Sequence, residues 1–517
     1  MARLAPASYL NLDSFVLMNI FFAAARLTVT QLVTAGALGG LVIIAWSYSK
    51  WRTAVKVAFV IALIEGAIRK WILPQGQELV YFLKDIFLIG AYLRFFIGAP
   101  PDLRGWRLRI PTTVILLLCA MVAMSALNPA IGSPLMAIYG VKIYFMYLPL
   151  VFMMPYLFRT EEEMVRELTW FALLAIPISA LGFLQFKSDA FSVLNVYAQG
   201  EYVETGAVGF GVGEKIRVTG TFSYITGHST FVILFTALHF VLLSLKETKW
   251  KWVLLGVSLP MLAANTLMNG SRSSVVAIIF VVIGLGLAAA SGRVGTDKRF
   301  LTILMVGGLF SVGATAYLFR NAWENWYARF ESSGSTGEIK ARTVDWAGTA
   351  FTMATKEGGF FGYGIGSTHP AVEALRRRFG IKAPKIMTPV YDNEIGQVMV
   401  ELGVTGFAAW YFLRLVSVAA CWIGYRRAPP GIVRTICLTT FLLQLPYIFM
   451  SVVLNHTANI LLCGLTGLSL IPFLERVAVG NPSRGRLPSR HRFPGPAQES
   501  GPPHRVAYRR SDGPSEN

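Results

Sequence analysis

Charged residues are scarce in this chain. Only 15% of its 517 residues are Asp, Glu, Lys or Arg, whereas 54% are hydrophobic. A soluble domain carries charge on roughly a quarter of its residues. The shortage therefore excludes a soluble globular protein and predicts a polytopic membrane protein.

Cysteine and acidic residues are also few. The 28 acidic residues are outnumbered by 47 basic ones, which gives a net charge of +19. Much of the excess lies in short loops between apolar runs and in the tail from Arg476, so we interpret it as the positive-inside bias of a membrane protein and not as a nucleic-acid surface. The cysteines lie inside apolar runs without the spacing of a metal site or a disulfide framework, and we expect them to be packing residues: Cys119, Cys421, Cys437 and Cys463.

Long apolar runs recur along the whole chain. A segment that crosses roughly 30 Å of hydrocarbon needs about 20 residues, and we count about 13 such runs, so the predicted fold is all-α with about 12 to 14 transmembrane helices. The stretch 15–25 is shorter and is followed by Arg26, which favours an interfacial segment over a span or a removable signal peptide. The runs lie near 32–47, 53–68, 79–97, 110–127, 137–157, 168–186, 228–245, 250–267, 273–290, 300–319, 395–424, 432–454 and 457–474.

The basic loops predict which side of the membrane each segment faces, because Lys and Arg near span ends stay cytoplasmic. If the basic tail is cytoplasmic, one topology also places six basic or mixed loops in the cytoplasm: 49–52, 102–109, 158–167, 246–251, 291–299 and 426–434. The same topology places four segments on the outside: 69–78, 187–227, 268–274 and 320–394.

The predicted topology divides the chain into four parts. Residues 1–319 are predicted transmembrane helices with an outer loop near 187–227, and residues 320–394 form a large extracytoplasmic loop that contains helices. Residues 395–475 are the C-terminal spans. Residues 476–517 are rich in Pro, Gly and Arg, cannot build a core, and are predicted to be a disordered cytoplasmic tail. Loops as long as the two large outer ones are usually functional, so we expect the chemistry on the outside.

Three outer segments carry an arginine against the charge bias, namely Arg217, Arg272 and Arg342. A single loop arginine is usually solvated or in contact with headgroups. Three on one face favour an anionic ligand, because the guanidinium is a permanently charged fork that matches phosphate oxygens. Beside a membrane, the expected ligand is a lipid phosphate or diphosphate.

The largest outer loop contains a glycine-rich stretch. Gly362, Gly364 and Gly366 alternate with larger residues but do not open a βαβ unit and are not followed by the Lys-Ser/Thr of a P-loop. We therefore favour a tight turn, in which the backbone approaches the membrane or a sugar, over a nucleotide site. His369 follows directly and is either a surface residue or a base.

Four segments together resemble the O-antigen ligase and O-antigen polymerase superfamily. RVTGTF at 217–222 is similar to its arginine motif, NGSRSSVVA at 269–277 to its Ser-Arg motif, and ARTVDW followed by GYGIG to its loop pattern. The fourth segment is similar to the pattern His-Asn-x-x-x-Gln-x-x-x-Glu-x-Gly-x-x-Gly, in which the positions that match are Asn393, Gln397, Glu401, Gly403 and Gly406.

The histidine of that pattern is Asp392 in this chain. In the ligases this histidine is proposed to be the general base that deprotonates the acceptor hydroxyl, and a carboxylate within hydrogen-bond reach can do the same. Alternatively His369 is the base and Asp392 orients it, or Asp392 only caps a helix that begins near Glu394. Glu401, about two turns into that helix, is predicted to be catalytic or to pair with an arginine.

The resemblance implies a GT-C-like glycosyltransferase in the bacterial inner membrane, with its active face periplasmic. It would move a polyprenyl-diphosphate-linked glycan to a sugar hydroxyl with inversion, without metal or cofactor, and polymerise exopolysaccharide or O-antigen repeat units. Arg217, Arg272 and Arg342 would bind the diphosphate. The acceptor would be another glycan or, in the alternative of a ligase, the lipid A core. Membrane lipids and other polysaccharide-assembly proteins are the expected partners, and nucleic acid is not.

A different class, a transporter or flippase of lipid-linked oligosaccharide, is the competing interpretation. It would explain the number of spans and the internal charges Glu65, Asp85 and Lys142. Against it, the sequence shows no internal repeat and no paired broken helices, and the loop 320–394 is long for a carrier.

Overall fold

The computed structural model is mostly helical. It describes residues 29–74, 80–189, 192–197, 216–245, 250–292, 359–368 and 394–476, with a few isolated positions between 308 and 352. The main helices are α1 (Val29–Ser49), α2 (Trp51–Ala67), α3 (Leu83–Tyr92), α4 (Thr112–Met124), α5 (Pro134–Phe145), α6 (Leu148–Met153), α7 (Glu161–Leu173), α8 (Ala175–Lys187), α9 (Ile225–Leu243), α10 (Leu259–Met268), α11 (Arg272–Ala290), α12 (Glu394–Arg427), α13 (Ile432–Tyr447) and α14 (His456–Leu468).

Within the ranges given above, three π-helical segments interrupt or extend these helices. Ile68–Ile72 continues α2, Leu93–Ile97 continues α3, and Leu254–Ser258 joins the short turn Lys251–Val253 to α10. Such π segments are uncommon and are frequent at functional sites. The first of them carries two basic residues, Arg69 and Lys70.

Each predicted apolar run that falls in the described part of the chain contains a helix. Within that part, six helical segments are long and apolar enough to cross a membrane: Pro134–Tyr156, Glu161–Lys187, Ile225–Leu243, Lys251–Met268, Arg272–Ala290 and Glu394–Arg427. The class of helical membrane protein is therefore confirmed. The run at 300–319 and the stretch 15–25 lie outside the described ranges, so the count of 12 to 14 spans stays a prediction.

The helices pack around α9, which is buried along almost its whole length. α9 contacts α10, α11, α13 and α14, and its apolar side chains join the largest hydrophobic cluster. By contrast, four of the 19 residues of α11 are buried, and the others are partly or fully exposed. Its most exposed large side chains are apolar, for example Val276, Ile283 and Leu287, so α11 has the composition of a lipid-facing helix.

Loops that were predicted cytoplasmic meet at one end of the helices, which we call the inner-loop face. Arg52 forms an ion pair with Asp102, and Lys56 Nζ lies 3.1 Å from Glu163 Oε1. The strand β1 (Trp106–Leu108) pairs antiparallel with β2 (Leu474–Arg476). These contacts join three predicted inner loops and the start of the basic tail at one end of the helices.

The other ends of the helices form the outer-loop face. There α12 begins at Glu394, as the sequence predicted, and bends at Gly403, whose φ of 64° and ψ of −173° are not helical. The connections that lie on this face are 216–224, 269–271, 359–368 and 448–455. The side of the membrane that this face occupies stays a prediction.

Candidate functional site on the outer-loop face

The structure describes six of the ten predicted site residues: Arg217, Arg272, Gly364, Gly366, Gln397 and Glu401. Four lie outside the described residues: Arg342, His369, Asp392 and Asn393. The choice between Asp392 and His369 as base therefore stays open.

The segment that carries Arg217 lies directly on the turn before Arg272. The Val218 amide donates to the carbonyl of Met268 at 3.2 Å, and Arg217 Nε donates to the carbonyl of Asn269 at 2.9 Å. Arg272 is the first residue of α11, three positions after Asn269. Two motifs that are about 50 residues apart in sequence are thus in contact in the structure.

Asn269 holds this junction together. Its buried side-chain amide donates to the carbonyls of Val218 at 3.0 Å and of Ile225 at 3.3 Å, and its oxygen accepts from Ser229 Oγ at 2.6 Å. The asparagine therefore ties the Arg217 segment to the start of α9. Asn269 was part of the motif at 269–277, but only the structure shows that its role is to join the two motifs.

Two basic residues that the sequence reasoning missed touch the same segment. Lys70 Nζ donates to Thr219 Oγ1 at 2.8 Å and to the carbonyl of Gly220 at 3.2 Å. Arg69 Nη1 donates to Ser223 Oγ at 3.0 Å. Both lie on the π-helical segment that continues α2. The segment 69–78, which is predicted to lie outside, also begins with two basic residues against the charge bias, so the sequence does contain a signal for them.

The glycine-rich stretch 359–368, which we call the glycine loop, packs on the bend of α12. The Tyr363 amide donates to the carbonyl of Val400 at 3.0 Å, and the Gly364 amide donates to the carbonyl of Glu401 at 2.8 Å. A Cβ atom on Gly362 would lie 2.5 Å from the amide nitrogen of Gly403. These glycines allow the backbone of the loop to lie directly against α12. The described contacts of the tight turn are therefore with the protein itself.

The loop also packs on the N-terminal half of the protein. A Cβ atom on Gly364 would lie 2.1 Å from Ile131 Cγ1, and one on Gly366 would lie 2.7 Å from the Cα of Gly140. The side-chain amide of Asn128 donates to the carbonyl of Gly362 at 2.8 Å. The glycine loop therefore bridges α12 and the start of α5.

Glu401 anchors the end of the glycine loop. It is 2% exposed, and its carboxylate accepts from Tyr144 Oη at 2.8 Å, from the Thr368 amide at 3.0 Å and from Thr368 Oγ1 at 2.8 Å. These partners are not arginines, so the expected arginine pair is not among the described contacts. The structure instead shows that the Glu401 carboxylate binds Thr368, which directly precedes His369 in the sequence.

Replacing Glu401 by alanine is expected to lower the free energy of unfolding by about 1–3 kcal/mol for each buried donor left without an acceptor. The affected donors are Tyr144 Oη, the Thr368 amide and Thr368 Oγ1. Glu401→Gln keeps one acceptor oxygen and should lose less. Thermal unfolding in detergent measures the effect, with the exposed Glu161→Ala as control. Equal midpoints for Glu401→Ala and wild type would show that the anchor does not matter.

A buried ion pair fixes the start of α12. Arg414 Nη1 contacts Glu394 Oε1, and Glu394 Oε2 accepts from the Val453 amide at 2.6 Å. Two residues later, the Asn455 side-chain amide donates to the carbonyl of Thr226 at 3.0 Å. The connection 448–455 therefore links the start of α12 to the start of α9. It thereby connects the helix that carries the glycine loop with the helix that follows the Arg217 segment.

The internal charges noticed in the sequence converge in one buried cluster, which we call the charge cluster. Glu65 pairs with Lys84, and Lys142 Nζ lies 2.9 Å from Asp85 Oδ2. Lys142 Nζ also lies 3.5 Å from the ring centre of Tyr81. The Tyr81 hydroxyl contacts Nε2 of His456, the first residue of α14. The charges are thus paired with one another inside the helices.

No protein-family model, curated protein or solved structure matches the chain. Within the described part of the chain, no group of three or more His, Cys, Asp or Glu side chains is placed to hold a metal ion. We therefore infer the function from the contacts on the outer-loop face and from the resemblance of the motifs.

Proposed function

We propose that the protein is a membrane glycosyltransferase that moves a polyprenyl-diphosphate-linked glycan to a sugar hydroxyl and so polymerises exopolysaccharide or O-antigen units. The observation that supports this most is the direct packing of the Arg217 segment on the turn before Arg272. An anion that met both guanidinium groups would be bound at the membrane edge, where a lipid-linked diphosphate is found.

In the proposed reaction the acceptor hydroxyl oxygen attacks the anomeric carbon of the donor. The bond from that carbon to the diphosphate oxygen breaks, and the hydroxyl proton passes to Asp392 or His369. Arg217, Arg272 and Arg342 stabilise the charge that develops on the leaving diphosphate. Attack opposite the leaving group inverts the anomeric centre.

The direct test is an assay with purified protein in nanodiscs and a polyprenyl-diphosphate-linked repeat unit. Longer glycans should form in the absence of nucleotide sugar and in the presence of a metal chelator. A requirement for a nucleotide sugar would contradict the mechanism.

Arg217→Met should raise KM for the lipid-linked donor by roughly 10- to 100-fold, since a charge-assisted hydrogen bond contributes about 1.5–3 kcal/mol. The control is Arg166→Met, an exposed arginine paired with Glu167 on the inner-loop face. Because Arg217 also bonds to Asn269, the thermal midpoint of each variant is measured alongside KM. A lower midpoint with unchanged KM would assign Arg217 a structural role only.

A ligase that transfers the glycan to the lipid A core is the alternative within this class. The lipid-linked intermediates in a deletion strain separate the two. Single repeat units indicate a missing polymerase, and full-length chains indicate a missing ligase.

The charge cluster favours a second class, a transporter or flippase of lipid-linked oligosaccharide, because ionisable groups inside a membrane often mark transport paths. Glu65, Lys84, Asp85 and Lys142 are all buried or nearly so. Repeat units that stay on the inner face in a deletion strain would indicate this function.

A further inference from the structure

The glycine loop exposes two adjacent aromatic residues, Phe360 and Phe361, which we call the phenylalanine pair. Phe360 is 67% exposed and Phe361 70%, whereas the other residues of the loop are buried or half-buried. Leaving two neighbouring rings in water is unfavourable, and exposed apolar side chains that adjoin one another mark an interaction surface. The pair therefore needs a partner that covers it.

The backbone of the phenylalanine pair is attached to two different helical segments. The Thr405 hydroxyl of α12 donates to the carbonyl of Phe360 at 2.9 Å. The side-chain amide of Asn128, which follows α4 and the turn Ser125–Leu127, donates to the carbonyl of Phe361 at 3.3 Å. The pair is thus held where α12 and the end of α4 reach the outer-loop face.

An exposed apolar stripe of α12 leads to Phe360. From Thr405 to Trp422 the exposed positions recur every three or four residues, as one face of a helix requires. All of these positions after Thr405 are apolar, so the stripe has the composition of a lipid contact. In order from the outer-loop face they are Thr405, Ala408, Phe412, Leu415, Ala419 and Trp422.

The length of this stripe gives the depth of the phenylalanine pair. α12 ends with Arg426 and Arg427, in a loop that is predicted to be cytoplasmic. At about 1.5 Å per residue, Thr405 lies about 32 Å from Arg426 along the helix, and the hydrocarbon core is about 30 Å thick. Thr405, together with Phe360 that it binds, is therefore expected at the opposite boundary of the hydrocarbon.

α4 leads to the same place from a different part of the chain. It packs against α12, and its large exposed side chains include Met121 and Met124, followed by Leu127 in the next turn. The residue after Leu127 is Asn128, which binds the carbonyl of Phe361. Two apolar, exposed helix faces therefore meet at the phenylalanine pair.

We propose that Phe360 and Phe361 insert into the leaflet next to the outer-loop face, at the boundary between headgroups and acyl chains, and so anchor the glycine loop to the bilayer. The partner is the lipid surface, because the pair continues two helix faces of lipid-facing composition and lies one hydrocarbon thickness from the inner arginines. Phenylalanine is among the side chains that bury at this boundary. The inference does not depend on the reaction that the protein catalyses.

The depth of the pair can be measured with nitroxide spin labels on the full chain in nanodiscs. Phe360→Cys and Phe361→Cys are labelled separately, and collisions of each label with oxygen and with a water-soluble nickel chelate are compared. Leu415→Cys is the lipid-facing reference, and Glu161→Cys on the inner-loop face is the water-facing reference. Wild type treated in the same way gives the background from the four native cysteines, and thermal midpoints show which labelled proteins are folded.

The expected result is a depth of about 5–10 Å into the leaflet for both labels, with frequent oxygen collisions and few nickel collisions, as for Leu415. Nickel collisions as frequent as those of the Glu161 label would overturn the inference, since the rings would then face water.

Two further outcomes would also overturn it. Protection from both reagents would show that protein covers the pair, and dipolar broadening between labels would identify that protein as a second copy of the chain. A loss of oxygen collisions at the pair, but not at Leu415, on addition of polyprenyl diphosphate would assign the surface to the isoprenoid chain of that ligand instead of to the bilayer.

Discussion

Replacing Arg414 by methionine is expected to destabilise the protein by about 3–5 kcal/mol, because it leaves the buried Glu394 carboxylate without its counter-ion. Glu394 is 1% exposed and Arg414 8%. Arg414 also donates to the carbonyl of Tyr447, so the substitution frees a second buried acceptor. The start of α12 and the connection 448–455 should loosen together.

Thermal unfolding in detergent and proteolysis of the connection 448–455 measure this effect. The double variant Arg414→Met with Glu394→Gln removes the uncompensated charge and should recover part of the lost stability, which a double-mutant cycle quantifies. The exposed Arg427→Met is a matched control on the same helix. A single variant Arg414→Met that unfolds at the wild-type temperature would show that the pair contributes nothing.

Replacing Gly403 by alanine is expected to cost about 2–6 kcal/mol, from two separate causes of about 1–3 kcal/mol each. Its backbone, with φ of 64° and ψ of −173°, lies in a region that is almost restricted to glycine. A Cβ atom there would also lie 2.4 Å from the carbonyl oxygen of Phe360 and 2.5 Å from the amide nitrogen of Gly362. Both are backbone atoms, which cannot rotate away as a side chain could.

The comparison variant is Gly39→Ala in α1, where an added Cβ meets nothing within 4 Å. That change should be neutral or stabilising by about 0.5–1 kcal/mol, because alanine favours helix. Gly403→Ala should lower the unfolding midpoint and expose the glycine loop to protease. Similar midpoints for the two variants would indicate that the bend of α12 tolerates a side chain.

Different parts of the candidate site were predictable to different degrees. Arg217 and Arg272 were found from their position against the charge bias, and the structure places their segments in contact. Lys70 is also a basic residue in a segment predicted to lie outside, but it was missed. The sequence alone does not distinguish a buried lysine from one that contacts lipid headgroups. Glu401 was expected inside α12, but its partners Tyr144 and Thr368 come from distant parts of the chain and leave no local pattern.

The sequence by itself determined the class of protein and the positions of its helices. The length of an apolar run and the charges that flank it are local properties, and they decide how a segment inserts into the bilayer. Only the tertiary structure decided which loops meet. The contacts of Asn269 with Val218, of Glu394 with Arg414 and of Gly364 with Ile131 depend on how helices pack, and packing depends on side chains that are far apart in the chain. The candidate site is made of such contacts, and it became visible only in three dimensions.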